Sequence, residues 1–248
     1  MANIDYKRFE GNGAPLIFVH GWLGSRHSFD FVRKRLRIEN PHIVYDQRCH
    51  GERDCSPFSM EDLARDLGEI VEDIDQEPIP VGHSLGGFTV LQYLADSDFN
   101  GKAVLLGTCA STPEPVNEDP QYFMDNLDRM PREQWAEKIV SNYTSENTPE
   151  KIKQMAVTEM IDSDREPLEY PLRAMIGYDV REKLGSHDAI VVAGTDDGAI
   201  TMDKSRELAD LLNCPLEKIK SSHLMLQEKP DKIAALIEDF LEPEKHTS

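Results

Sequence analysis

The sequence predicts an α/β fold: a mostly parallel central sheet flanked by helices, with a helical segment inserted between two core strands. Three observations lead there. Short apolar runs rich in β-branched residues alternate with stretches of helical period. Most of these runs end in a glycine or a polar turn. The stretch from Thr108 to His187 breaks the alternation, with charged, methionine-containing periods and no strand-like run.

The elements follow in order. Leu16–Val19 (LIFV) reads as a strand ending at His20-Gly21, and Phe29–Leu36 has helical spacing. Ile43–Tyr45 is a second strand, closed by Asp46. Met60–Ile74 is an amphipathic helix with Ser59 as its N-cap. Ile79–Val81 leads into Gly82-His83-Ser84-Leu85-Gly86-Gly87 and the helical stretch Phe88–Ala95. Ala103–Leu106, Ala189–Ala193 and Leu216–Lys220 complete the strands, and a closing helix begins near Pro230. Within the insertion, helices are expected over Asn117–Met130, Pro131–Asn142, Pro149–Ile161 and Glu166–Leu184, with both leading prolines in first-turn positions. The expected division is a core of 1–111 and 186–248, with 112–185 as a helical cap. The tail Pro243–Ser248 is expected to fray.

With 27 basic against 46 acidic residues in 248, the chain carries a formal charge of −19. Such a surplus repels phosphate backbones and anionic lipid, so neither nucleic acid nor membrane is an expected partner. A hydrophobic share of 39% and a mean hydropathy of −0.51 describe a soluble globular chain. Its acidic surface serves solubility or, more pointedly, a high-salt habitat. Met1–Glu10 lacks an apolar stretch behind a basic start, so no signal peptide is expected. Cys49, Cys55, Cys109 and Cys214 form no CxxC pair and are expected as thiols in a reducing cytoplasm. A monomer or small homo-oligomer is expected.

The chemistry centres on Gly82-x-Ser84-x-Gly86, placed between an apolar run and a helix. A tight strand–turn–helix bend needs small residues beside the serine. It exposes the hydroxyl and turns the Leu85 N–H toward a developing oxyanion. Alone, the motif equally describes a glycine-rich turn capped by a hydroxyl. Three further features add to it. His20-Gly21-Trp22 can offer the Trp22 N–H as a second oxyanion donor. Gly194-Thr195-Asp196-Asp197-Gly198 puts a carboxylate at a strand end, and Ser221-Ser222-His223 precedes the last helix. Each has an ordinary explanation as a turn or loop. Jointly they give Ser, Asp and His in chain order, each past the carboxyl end of a strand.

These motifs, with Asp46–Gly51 (DQRCHG), resemble the α/β-hydrolase superfamily from about Pro15 to Leu241. The likeness is to its cap-bearing branch of esterases, lactonases and cofactor-free haloperoxidase-type enzymes. The resemblance implies Ser84 as nucleophile, His223 as general base and Asp197 as orienting acid, with Asp196 as the alternative acid. Trp22 and Leu85 would supply the oxyanion donors. It implies a serine hydrolase of the carboxylesterase kind, acting without cofactor on a small-molecule ester. Lactone hydrolysis, C–C bond hydrolysis and perhydrolysis use the same triad, and a non-catalytic ligand-binding homologue would keep the fold. A serine at the elbow argues against dehalogenase or epoxide-hydrolase chemistry.

The sequence also departs from the family pattern. Cys49 stands where the family has glycine and Arg53 where a serine is common, which puts the packing of that loop in question. Pro80 predicts a very short or bulged central strand, and the brief stretch before Leu16 predicts a missing or reduced leading strand. No HxxxH or HxH spacing supports a metal site. The insertion's methionines (Met124, Met130, Met155, Met160 and Met175) suit core packing or an adaptable acyl pocket.

Overall fold

The computed structural model describes residues 4–113 and 126–242. Its strands are β1 (Tyr6–Phe9), β2 (Leu16–Val19), β3 (His42–Tyr45), β4 (Ile79–His83), β5 (Ala103–Leu106), β6 (Ala189–Gly194) and β7 (Leu216–Ile219). They form one sheet in the order β1-β3-β2-β4-β5-β6-β7, with β1 antiparallel to β3 and every other neighbouring pair parallel. The helices are α1 (Asp30–Arg33), α2 (Met60–Glu72), α3 (Leu85–Asp96), α4 (Arg132–Tyr143), α5 (Glu150–Asp162), α6 (Arg165–Ala174), α7 (Met202–Leu212), α8 (Met225–Glu228) and α9 (Pro230–Leu241).

Alternation along each strand sorts the core into two layers. Ile17, Val19, Ile43, Leu105 and Val191 pack with α2, α3 and α7 on one face. Leu16, Phe18, Val44, Val104 and Val192 pack with α1, α8 and α9 on the other. β2, β5 and β6, buried on both faces, are therefore apolar without interruption. α2 begins in a capping box: Ser59 accepts from the Asp62 N–H while the Asp62 carboxylate accepts from the Ser59 N–H. A third cluster, around Trp135, Ile139, Val140, Met160 and Leu168, belongs to α4, α5 and α6. Trp22 and Leu127 pack against both this cluster and the first.

The structure corrects several expectations. β4 is a regular five-residue strand despite Pro80. Pro80 pairs with Ile17 of β2, and the β5 ladder starts one residue later at Val81↔Val104, so no ladder bond to β5 is missing. The leading part of the sheet is reduced, as expected, to the single short antiparallel strand β1, while α1 is shorter than Phe29–Leu36. Pro131 and Pro149 are N-caps one residue before the helical positions expected. The last insertion helix ends at Ala174 rather than Leu184, where the chain turns through Gly177 at φ +71° and bridges Asp179 to Ser111. Of the helix expected over Asn117–Met130, residues 126–129 are helical and the part up to 125 lies outside the described residues, as does the tail 243–248.

Cys49 and Cys55 are a disulfide, not thiols. The turn at 49–54, closed by the Cys49 N–H on the Asp54 carbonyl, brings them together at a spacing outside any CxxC pattern. The inference to a reducing compartment loses that support. Cys109 and Cys214 are free.

Candidate active site

Ser84 sits at the β4–α3 turn with φ +53° and ψ −119°, a region L-residues rarely adopt. The surroundings hold it there. Its N–H donates to the Leu106 carbonyl at 3.0 Å, and its own carbonyl accepts from the Thr108 hydroxyl at 3.2 Å. Glycine is required on either side: a Cβ at Gly82 would lie 2.5 Å from the Gly86 carbonyl oxygen, and one at Gly86 would lie 2.0 Å from that of Val19. The second contact presses the start of α3 onto the end of β2. The loop after β2 is thereby brought beside the serine.

Ser84, Asp197 and His223, drawn from three separate loops, meet in one line. The Ser84 Oγ lies 2.8 Å from His223 Nε2, and His223 Nδ1 lies 2.8 Å from Asp197 Oδ2. The partners assign the tautomer: Nδ1–H faces the carboxylate and Nε2 accepts from the hydroxyl. Asp197 is oriented by its other oxygen, which accepts from the Ala199 and Ile200 N–H groups at 2.8 and 2.9 Å. Its carboxylate is almost wholly buried, 1% exposed, so it meets the imidazole without competing water. Asp196 points elsewhere, accepting from Asn147 and Thr195.

His223 is gripped at both ends of its backbone. Its N–H donates to the Tyr143 carbonyl at the end of α4, and its carbonyl accepts from His83 Nε2–H, both at 3.0 Å. The preceding serines are held by Glu228, whose carboxylate accepts from both hydroxyls and from the Ser222 N–H. The same carboxylate accepts from Thr148 of the β5–β6 segment at 2.8 Å.

Trp22 and Leu85 flank this line, Leu85 as the first residue of α3. Ahead of Trp22, Gly21 packs directly on the serine: a Cβ there would lie 3.2 Å from that of Ser84. The Gly21 carbonyl accepts from His20 Nδ1–H at 2.8 Å and from the Gly24 N–H at 3.0 Å. The peptide is planar and trans, so the Trp22 N–H points opposite to that doubly held carbonyl.

Three buried imidazoles act here as fixed pins. His20 Nε2 accepts from the Gln47 N–H, and His50 Nε2 accepts from the Leu23 N–H while its Nδ1–H donates to the Arg48 carbonyl. Burial lowers the pKa of His20 and His83 to about 3 and that of His50 to about 4. All three are neutral at working pH. The sequence marks these histidines only by their glycine neighbours, and nothing in it marks Glu228 beyond its place five residues after His223. Among the described residues no cluster of His, Cys, Asp or Glu is arranged to hold a metal, and no helix is long and apolar enough to cross a membrane.

Known proteins share this architecture. An uncharacterized hydrolase of Bacillus subtilis (strain 168), YugF, is 26% identical, with 96% of this chain and 94% of that protein aligned. The solved structure of an esterase from Exiguobacterium antarcticum superposes with a TM-score of 0.83 at 18% identity, covering 96% of this chain and 95% of that one. The enol-lactonase from Burkholderia xenovorans LB400 superposes at 0.82 and 19% identity, covering 96% of both chains. The sequence profile of the alpha/beta hydrolase family matches residues 16–236. With the sheet order and the elbow geometry above, that match places the chain in the α/β-hydrolase family.

Proposed function

We propose that the protein is a serine hydrolase that cleaves small or medium carboxylic esters through an acyl-enzyme. The observation that carries this is the unbroken line from Asp197 through His223 to Ser84, with both contacts at 2.8 Å. Ser84 Oγ attacks the ester carbonyl as its proton passes to His223 Nε2, and Asp197 stabilises the imidazolium through Nδ1–H. The carbonyl oxygen gains negative charge, which the Trp22 and Leu85 N–H groups stabilise. His223 then protonates the leaving alcohol. Water, deprotonated by the same imidazole, attacks the acyl-Ser84 ester, releasing the acid and restoring the serine. A lactone is a cyclic ester, and the same steps open it.

The helices between β5 and β6 serve as the cap of this site. The C-terminal end of α4 and the connection after it reach the base through the Tyr143 carbonyl on His223, and the residue beside the acid through Asn147 on Asp196. The acyl chain is selected beneath them, by Trp22, Leu23, Tyr143 and Leu224, which border the apolar cluster of α4–α6. Ser84→Ala tests the assignment with a panel of p-nitrophenyl esters and a fluorophosphonate probe. The wild type should label and hydrolyse. The variant should not label, and its kcat should fall by about 10⁵-fold or more. Retention of most turnover by Ser84→Ala would overturn the mechanism.

A further inference from the structure

The cap helix α6 contains two prolines four residues apart, Pro167 and Pro171. In an α-helix the carbonyl of residue 167 accepts from the N–H of residue 171, and proline has none. The vacated acceptor is filled from across the molecule. The Trp22 indole Nε1–H donates to the Pro167 carbonyl at 3.0 Å, 145 residues away in sequence. Trp22 is also the residue whose backbone N–H is assigned above to the oxyanion.

We propose that the Trp22 indole and the proline gap in α6 form a positioning latch that sets the oxyanion donor according to how the cap is seated. This rests on the serine-hydrolase assignment. Trp22 is held from two directions. On the core side, the Gly21 carbonyl is fixed by His20 and Gly24, and the Leu23 N–H is fixed by His50. On the cap side, the indole is fixed by α6 and packs against the α4–α6 cluster as well as the core. Leu23 follows at φ +59°, a conformation that persists only under external constraint. A shift of α6 therefore pulls the indole and turns the Gly21–Trp22 peptide, while a seated α6 holds its N–H toward the reacting carbonyl. Pro171 contributes by what it lacks: a residue with an N–H would draw the Pro167 carbonyl back along the helix axis, away from Trp22. The contrary account is that Pro171, which is buried, only fills space.

Four proteins separate the two: wild type, Trp22→Phe, Pro171→Ala and the double variant. Each is assayed for kcat and KM on a p-nitrophenyl ester, for its rate of fluorophosphonate labelling and for Tm. Trp22→Phe keeps an aromatic side chain of smaller size and loses the donor. Its kcat and labelling rate should fall about tenfold, a part of the 10²–10³ typical of a lost oxyanion donor, with KM changed less than about twofold. Pro171→Ala should lower kcat about threefold while Tm holds or rises, a combination that lost packing would not give. The double variant should be no slower than Trp22→Phe, since both changes break one bond.

Unchanged kcat in Trp22→Phe overturns the latch. So does a loss confined to KM, which would make the indole a pocket wall, and so do losses that multiply in the double variant. If Trp22→Phe does not fold, Pro171→Ala decides: unchanged kcat in that variant overturns the latch, and the expected fall supports it. A wild type that neither hydrolyses the ester nor labels overturns the hydrolase assignment and the latch with it. An active wild type beside variants of unchanged kcat overturns the latch alone.

Discussion

The loops at the carboxyl edge of the sheet and the helices between β5 and β6 are built from different contacts. In the loops and on the helix face beneath them, polar groups are buried and met by backbone amides, neutral imidazoles or paired guanidiniums, as at His20, His50, Asp46 and, on α2, Asp66. In the helices, the ion pairs are made by half-exposed arginines: Arg165 with Asp128 and Glu169, and Arg173 with Glu169. The first kind leaves a buried group unpaired when one partner is lost, whereas the second lets water replace the partner. The proposed chemistry therefore stands on parts that cannot be exchanged. The proposed cap carries ion pairs that can.

The sharpest test of this contrast lies within two adjacent residues. Asp197→Asn would present an amide N–H to His223 Nδ1, force the proton to Nε2 and leave nothing to accept from Ser84. kcat should fall by about 10⁴-fold with the fold intact. Asp196 faces Asn147 of the β5–β6 segment, and Asp196→Asn should change kcat less than about threefold. Steady-state kinetics on one activated ester compares them directly. Similar losses in both variants would dissolve the distinction between the two regions at this point.

The same contrast explains what the sequence made legible. Apolar runs buried on both faces announce β2, β5 and β6, because nothing else in the chain needs so many consecutive branched side chains. The elbow is legible because close backbone approach excludes all but glycine at residues 82 and 86. The residues of edge strand β1 (YKRF) do not mark it, since Lys7 and Arg8 face solvent and carry no core signal. The Cys49–Cys55 pairing depends on a turn that six residues of sequence do not specify. The end of α6 at Ala174 is hard to read because Gly177 alone is a weak stop signal. The imidazole pins were also beyond reach: a histidine beside a glycine reads the same whether its ring accepts one amide or faces water. The contacts made by Trp22, Glu228 and Tyr143 join residues too distant in sequence for any local pattern to show.

Acid should find the difference next. His20, His50 and His83 hold folded pKa values of about 3, 4 and 3, depressed chiefly by burial, against about 6.5 in the unfolded chain. Between those limits the unfolded chain takes up protons that the folded state refuses. Stability is therefore full above about pH 6.5 and declines as pH falls through that value. From pH 7 to 5.5 the loss should be about 1 kcal/mol for each imidazole. Urea midpoints at constant ionic strength measure the sum. Residues 132–174, which span α4–α6, contain no histidine. Hydrogen exchange should accordingly quicken first at the Gln47 and Leu23 amides, which the pins hold, and later in those helices. A urea midpoint flat between pH 7 and 5.5 would contradict the burial of neutral imidazoles.

The smallest effects should separate the regions by stability alone, away from the reacting groups. Asp66 is 1% exposed and accepts from Arg48 at 2.8 Å through both Nε and Nη2, and from Arg53 at 2.7 Å. Asp66→Ala leaves two guanidiniums facing each other across an emptied pocket beneath the 46–55 loop and should cost about 3 kcal/mol. Arg173 is half exposed and meets Glu169 one helical turn away. Arg173→Ala should cost less than about 0.5 kcal/mol, because Arg165 still meets the Glu169 carboxylate and the half-exposed arginine gives up little. The two denaturation curves should also differ in their functional echo. The Asp66 variant should lose activity below its melting range, since Arg48, Cys49 and His50 share the loop that fixes the Leu23 amide. The Arg173 variant should lose none, because the carbonyl that α6 presents to Trp22 belongs to Pro167, whose backbone does not depend on that ion pair. Equal stability losses would show that the β5–β6 helices are held as tightly as the loops they cover, and that the proposed cap moves only when the whole domain unfolds.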